Sequence, residues 1–211
     1  MKVLNLYAGI GGNRKLWEDV EVTAVEWDEE TAKVYQDYFP DDTMIVGDAH
    51  QYLLDHYKEF DFIWSSPPCQ THSGTNYAAS SKGKTRDAKY PDMKLYQEII
   101  LLKKWFQGKW VVENVVPYYK PLIHGKIIDR HMFWSNFRIP KFDPVKETRI
   151  ATSSYKDYEK EYGYDLLKYN FNQYERRQKL RNCVHPKTGL HILNAARNII
   201  TKSKTGQTTL F

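Results

Sequence analysis

The chain has 211 residues, of which 41% are hydrophobic, enough for one domain with a sizeable core. Its two cysteines, Cys69 and Cys183, exclude a disulfide framework and a cysteine-built zinc site. A net charge of +5 and a mean hydropathy of −0.67 leave a polar surface that suits a polyanionic partner without naming one. The opening MKVLNLYAGIGG breaks at glycines too early for the apolar core of a signal peptide. No apolar run approaches the ~20 residues that span a bilayer. The expectation is a soluble, cytoplasmic protein with no membrane partner.

Residues 3–7 read as a short apolar strand, followed by a glycine turn over 8–12 and a short helix over 14–19. A second strand falls at 22–26, a helix at 29–39 and a third strand at 43–46, ending at Gly47-Asp48. A further helix begins near His50. The fourth strand, 60–64, ends at Pro67-Pro68. Residues 70–92 carry Ser, Gly, Lys and Thr with little periodicity, a length of irregular chain that is usually functional or disordered. A helix over 93–106 leads into a fifth strand at 109–112. Residues 150–181 are rich in Tyr and charge, and 187–200 read as a final helix. The last stretch is polar until Leu210-Phe211.

Strands alternating with helices predict an α/β, Rossmann-like fold, a mostly parallel sheet with helices on both faces. Ligands in such sheets bind at the carboxyl ends of the strands, where Gly9, Glu26, Asp48, Cys69 and Glu113 fall. A glycine turn after the first strand lets a ligand approach the backbone, and an acid such as Glu26 can accept hydrogen bonds from ribose hydroxyls. These point to an adenosine-containing cofactor. The dinucleotide fingerprint would want a glycine where Arg14 stands, which disfavours NAD. Trp27 offers a flat face for a purine, or is an ordinary core aromatic. Asp48 could accept from an adenine amine, or cap the helix that follows it.

The most specific signal is Ser66-Pro67-Pro68-Cys69-Gln70 followed by Glu113-Asn114-Val115. A thiolate attacks electron-poor carbon. Carbon 6 of cytosine becomes such a carbon when a neighbouring carboxylic acid holds or protonates N3. Addition there makes carbon 5 nucleophilic towards a sulfonium methyl. As a lone cysteine Cys69 would read as a small buried hydrophobe; its register with Glu113 argues for chemistry.

In order along the chain, LYAGIGG, VEWD, GDAH, SPPCQ and VVENV resemble the core motifs of the cytosine-5 DNA methyltransferases. DRHMFW contains Arg130, similar to the second arginine of that family's Arg-x-Arg motif. RQKLRNCVHP, at 177–186, resembles its penultimate Gly-Asn-x-Val-x-Pro motif. The resemblance implies a methyltransferase fold that uses S-adenosyl-L-methionine, yields S-adenosyl-L-homocysteine and needs no metal. It implies Cys69 as nucleophile, Glu113 as the acid on the target base and Arg130 as support for both base and glutamate. Tyr7, Gly9, Ile10, Gly11, Glu26, Trp27, Asp48 and Pro67 would form the cofactor pocket, closed by Asn182 and Val184. Residues 70–92 match the loop that folds over flipped-out, double-stranded DNA. Asn5, Tyr7, Ile128 and Arg181 depart from the family, standing where Asp, Phe, Arg and Gly are usual.

By this alignment the catalytic and cofactor-binding core spans 1–137. A reduced target recognition segment spans 138–176, basic and aromatic enough to hold phosphates and stack on bases, or else a connector with a few packed tyrosines. Residues 177–201 return to complete the core, and 202–211 form a tail. Gln207, Leu210 and Phe211 resemble the peptide by which bacterial proteins dock on the replication sliding clamp; a tail folded onto the core is the other reading. Two functional alternatives stand beside the DNA enzyme. One is an RNA cytosine-5 methyltransferase, whose usual Cys-Phe-Thr signature is missing from this sequence. The other is a catalytically weak DNA-binding relative.

Overall fold

The structure is a computed structural model that describes residues 1–81, 88–142 and 154–199. The Gln207, Leu210 and Phe211 tail therefore lies outside the described residues, as do 82–87 and 143–153. Seven strands form one sheet in the order β3-β2-β1-β4-β5-β7-β6. They are β1 (Lys2–Leu6), β2 (Glu21–Glu26), β3 (Thr43–Val46), β4 (Phe62–Ser65), β5 (Lys109–Val115), β6 (Lys126–Ile128) and β7 (His131–Ser135). The first five run parallel; β7 is antiparallel to both β5 and β6. β1 and β4 are buried on both faces, which is why they read as continuous apolar runs.

Alternate side chains on the strands feed two cores. Leu4, Leu6, Ile63 and Val112 pack under α4 (Lys94–Trp105) and α2 (Ala49–His56). Val3, Phe62, Trp64, Val111 and Phe133 pack under α7 (Pro186–Ala196). α1 (Glu29–Tyr38) covers Ala24 of β2 with Tyr35. Its start is fixed by Asp28, whose carboxylate accepts from Thr31 N, with Glu29 and Glu30 in the favourable first turn. α7 starts on Pro186, whose missing N–H costs nothing there. Among the described residues, no helix is long and apolar enough to cross a membrane.

Several expectations change. Residues 14–19 are not helical. Successive turns, Arg14 N to Gly11 O and Trp17 N to Arg14 O, carry the chain instead, and Arg14 is pulled sideways into a bidentate pair with Asp42 (2.8 and 2.9 Å). The irregular 70–92 stretch contains a helix, α3 (Gly74–Ser81). It is supported by tertiary contact: Tyr77 stacks on Tyr118, ring centroids 4.4 Å apart and 5° from parallel. The fifth strand runs three residues further than its apolar pattern, to Val115, because β7 pairs with it through His131. The final helix ends at Ala196 rather than 200.

The tyrosine-rich segment supplies α5 (Tyr155–Tyr162) and leads to α6 (Gln173–Arg181). Tyr158, Tyr162, Tyr164 and Tyr169 are buried with Ile10 and Val34, forming a third core over α1 and the glycine turn. Tyr169 Oη also donates to Asp37 (2.9 Å), and Lys15 Nζ donates to the Gly163 carbonyl (2.5 Å).

α7 presses directly on the glycine turn. A Cβ at Gly189 would stand 2.1 Å from the Asn13 carbonyl oxygen, which is backbone and cannot swing away. Gly189→Ala is expected to destabilise by about 1–3 kcal/mol in urea unfolding. Gly47→Ala, where a Cβ meets nothing within 4 Å, should stay within ~0.5 kcal/mol. Equal midpoints for the two variants would contradict this packing.

Candidate active site

The order of the sheet reverses at β1, which has β2 on one side and β4 on the other. A crevice for ligands opens at such a switch, outside the carboxyl ends. The glycine turn leaves β1 there. Tyr7, Gly9 and Gly11 all have positive φ (54°, 56° and 83°), a run that only glycines relieve at two of its three positions. A Cβ on Gly9 would meet nothing within 4 Å, so open space lies above the turn. Glu26, at the end of β2, accepts from Gly9 N (2.9 Å) and Asp28 N (3.1 Å), so the carboxylate is tied to the turn. Next to it Trp27 is 80% exposed, its ring packed in no core. Asp48 is the cap of α2, accepting from His50 N (2.8 Å) and Gln51 N (3.3 Å), while the rest of its carboxylate faces solvent near Lys94.

Beneath this crevice lies a polar cluster that the sequence did not announce. Glu98 of α4 is fully buried. It accepts from Tyr7 Oη (2.6 Å) and Ser65 Oγ (2.5 Å) and pairs with His50 Nδ1 (2.9 Å). Burial, then Glu98, pushes the Tyr7 hydroxyl far above its ordinary range; the Glu98 hydrogen bond raises His50. One buried carboxylate thus joins the ends of β1 and β4 to α2.

The second half of the site is built at the ends of β4 and β5. Pro67 is buried, and its carbonyl accepts from Asn114 Nδ2 (2.9 Å). Asn114 is itself 1% exposed, and its other side-chain atom accepts from Val115 N (3.0 Å). This amide clamps the Pro-Pro-Cys turn to the residue after Glu113. The Cys69 carbonyl then accepts from His72 N and Ser73 N, both at 3.0 Å. The half-buried Cys69 thiol is pushed above its ordinary value by burial and next by the charge of Glu113, while Arg130 and Arg181 oppose the shift. Cysteine, glutamate and two arginines therefore share one electrostatic site.

Glu113 is 6% exposed. Its carboxylate is paired with His131 Nδ1 at 2.5 Å, a contact the sequence reading missed. Glu113 faces Phe133 in the register, so His131 is its diagonal neighbour on the same face of the sheet. Only the pairing of β5 with β7 reveals this, because the two residues are 18 apart. Arg130 follows Asp129, which has positive φ, and its Nη2 donates to the carbonyls of Arg181 (3.0 Å) and Cys183 (3.1 Å). The returning segment is thereby held beside Cys69. Within it, Asn182 is exposed at the end of α6, whereas Val184 is buried in the α7 core. Ile10 is likewise buried, under the tyrosine core.

The expected residues thus gather in two places along one edge of the sheet. Tyr7, Gly9, Gly11, Glu26 and Trp27 surround the open turn, and Cys69, Glu113 and Arg130 meet at the ends of β4, β5 and β7.

This sheet, with its glycine turn and a ligand crevice at the strand reversal, defines a Rossmann-like fold of the S-adenosylmethionine-dependent methyltransferase class. The model of the C-5 cytosine-specific DNA methylases matches residues 1–121, more than half of the chain, and the chain belongs to that family. Its activity is accordingly that of a cytosine-5 methyltransferase. No curated protein matches the chain. Among solved structures, the Entamoeba histolytica methyltransferase EhMeth is similar over 96% of this chain and 99% of its own, with a TM-score of 0.59 and 11% identity, a likeness of fold. DNMT2 from Spodoptera frugiperda is 26% identical over 54% of this chain and 35% of its own, with a TM-score of 0.38. A SAM-dependent methyltransferase from Agrobacterium tumefaciens is 14% identical over 56% of this chain and 40% of its own, with a TM-score of 0.39.

The shared site is testable without substrate. Alkylation of Cys69, followed on its own peptide by mass spectrometry, should titrate above the ordinary thiol range in the wild type. Glu113→Gln should lower that midpoint, since it removes a charge that disfavours the thiolate, and Arg130→Met should raise it. An unmoved midpoint in Glu113→Gln would separate the two groups.

Proposed function

We propose that this protein is a DNA (cytosine-5)-methyltransferase that modifies a cytosine flipped out of double-stranded DNA, with Cys69 as nucleophile. The observation that carries the reading is the clamp between Asn114 and Pro67, which holds Cys69 and the buried Glu113 in one site. The fit of S-adenosylmethionine rests on the open, positive-φ turn over Gly9 with Glu26 and the exposed Trp27 beside it. When bound there, that cofactor supplies an electrophilic methyl.

The chain's own groups do the rest. The Cys69 thiol gives its proton to solvent and its sulfur forms a bond to C6 as Glu113 holds a proton at N3, which leaves C5 electron-rich. Once C5 carries the methyl, solvent water takes the C5 proton, the C–H electron pair re-forms the C5–C6 double bond and expels Cys69 as the thiolate, and the proton on N3 returns to Glu113. Cys69 is not strongly ionised at rest, because burial and Glu113 both oppose the thiolate. A proton held between Glu113 and N3 offsets the carboxylate's negative charge and so lowers that opposition. Arg130 adds positive charge against the sulfur and, on the family's pattern, supports the base. Gly9, Glu26, Trp27, Asp48 and Asn182 line the cofactor side, with Tyr7, Ile10, Gly11, Pro67 and Val184 shaping it from beneath.

Sequence reading is assigned to residues 138–176. Four of its tyrosines serve the core, so within its described part the exposed Tyr174, Arg138, Lys141 and Lys168 offer surface to DNA. Docking of the tail on a sliding clamp rests on its sequence alone.

Cys69→Ser should abolish methyl transfer to a duplex oligonucleotide while cofactor affinity, read by calorimetry, stays within about twofold, since Cys69 bonds the base rather than the cofactor. The wild type should form a covalent adduct with 5-fluorocytosine DNA, because fluorine cannot leave C5 as a proton does. Active enzyme without that adduct would rule out thiolate attack. Transfer to RNA in place of DNA would assign the chain to the alternative substrate.

A further inference from the structure

The family pattern puts the arginine of DRHMFW against the glutamate. In this chain Arg130 donates to the carbonyls of Arg181 and Cys183, and the first arginine of the pair is replaced by Ile128, which is buried. The group on the Glu113 carboxylate is His131, at 2.5 Å, with both side chains more than nine-tenths buried. We infer that His131 is the positioning residue of the catalytic acid: it fixes one oxygen of Glu113 through Nδ1–H and leaves the other to face the base. This rests on the proposed role of Glu113 and adds to it a residue that no motif assigns.

Two features fix the direction of that hydrogen bond. His131 Nε2 is buried with no hydrogen-bond partner. A hydrogen on Nε2 would be a sealed donor without an acceptor, which is costly, whereas a bare lone pair costs less. The imidazolium would bury the same unpaired N–H. The hydrogen therefore sits on Nδ1 and points at Glu113. The second oxygen of Glu113 has no partner among the described residues and is not sealed in, so it is the oxygen open to the site. Among the described residues, Glu113 shares its electrostatic site with Cys69 from the turn after β4, Arg130 from the turn before β7 and Arg181 from the end of α6. Neither arginine can accept a hydrogen bond, and the thiol is a weak acceptor, so Glu113 is the strong acceptor there.

The arrangement suits the proposed chemistry in both directions. While Glu113 carries its proton, the His131 donor occupies one oxygen, so the proton stays on the oxygen that meets N3. Once N3 holds the proton, the same donor stabilises the carboxylate that remains. His131 itself gains and loses nothing, and the proton count of each step is unchanged.

Two measurements test this. Nitrogen NMR of His131 in the free protein should show the Nδ1–H tautomer at neutral pH; an Nε2–H tautomer or an imidazolium would overturn the inference whether or not the protein is active. In single-turnover methyl transfer, His131→Leu should lose about 100-fold in rate, the scale of one preorganised donor, with cofactor and DNA affinities nearly unchanged. His131→Asn, which keeps an N–H near the Nδ1 position, should recover most of that loss, whereas a purely structural role would not favour it. Wild-type rates in His131→Leu would overturn the inference while leaving Cys69 chemistry standing. Failure of the wild type to form the 5-fluorocytosine adduct would instead overturn the role of Cys69.

Discussion

The hydrogen bond from Asn114 Nδ2 to the Pro67 carbonyl is the constraint on which the site depends. A Pro-Pro turn lacks the backbone N–H groups that would tie it to a neighbouring strand, so its carbonyls need a donor from elsewhere. Asn114, fully enclosed at the end of β5, provides one, and its own oxygen is satisfied by Val115 N. Strand β5 thereby delivers Glu113 and the clamp for Cys69 with consecutive residues. The β pleat sends their side chains to opposite faces, one to the substrate and one to the turn.

A second buried carboxylate organises the cofactor side. Glu98 is sealed from solvent and would be expensive there without donors. Tyr7, Ser65 and His50 surround it, from the ends of β1 and β4 and the start of α2. The Tyr7 hydroxyl is one of the chain's departures from its family, and the structure shows where it goes: down onto Glu98, below the turn. The turn itself is held from above by Glu26 through the Gly9 amide. Both halves of the site are thus fixed by polar groups with partners from different elements, which favours a rigid edge to the sheet.

The tyrosine-rich segment makes a related point. A tyrosine can serve a wet contact surface or a core with a polar rim, and composition does not choose. Packing of Tyr158, Tyr162, Tyr164 and Tyr169 against Ile10 and Val34 makes this segment a lid on α1 and the glycine turn. It also carries α6 to the point where Arg181 and the carbonyls bound by Arg130 stand beside Cys69. The segment both finishes the core and brings cations to the site.

Much of this was legible in the sequence alone. The alternation of apolar strands and amphipathic helices determined the parallel sheet, since each period records the faces an element must bury. The glycine run after β1 marked its turn because that backbone state admits few residues. Cys69 and Glu113 stood out because their neighbours, Pro-Pro and Asn-Val, are the groups that the site needs close by. Local pattern could not decide the short turn at 14–19, where the Arg14–Asp42 pair overrides helical preference, or α3, which leans on Tyr118. Nor could it show that β7 folds back antiparallel on β5 to set His131 against Glu113, or that Glu98 would gather Tyr7, Ser65 and His50. Those contacts join residues far apart in the chain. Their energies come from burial and from strand register, which exist only once the sheet has closed around them.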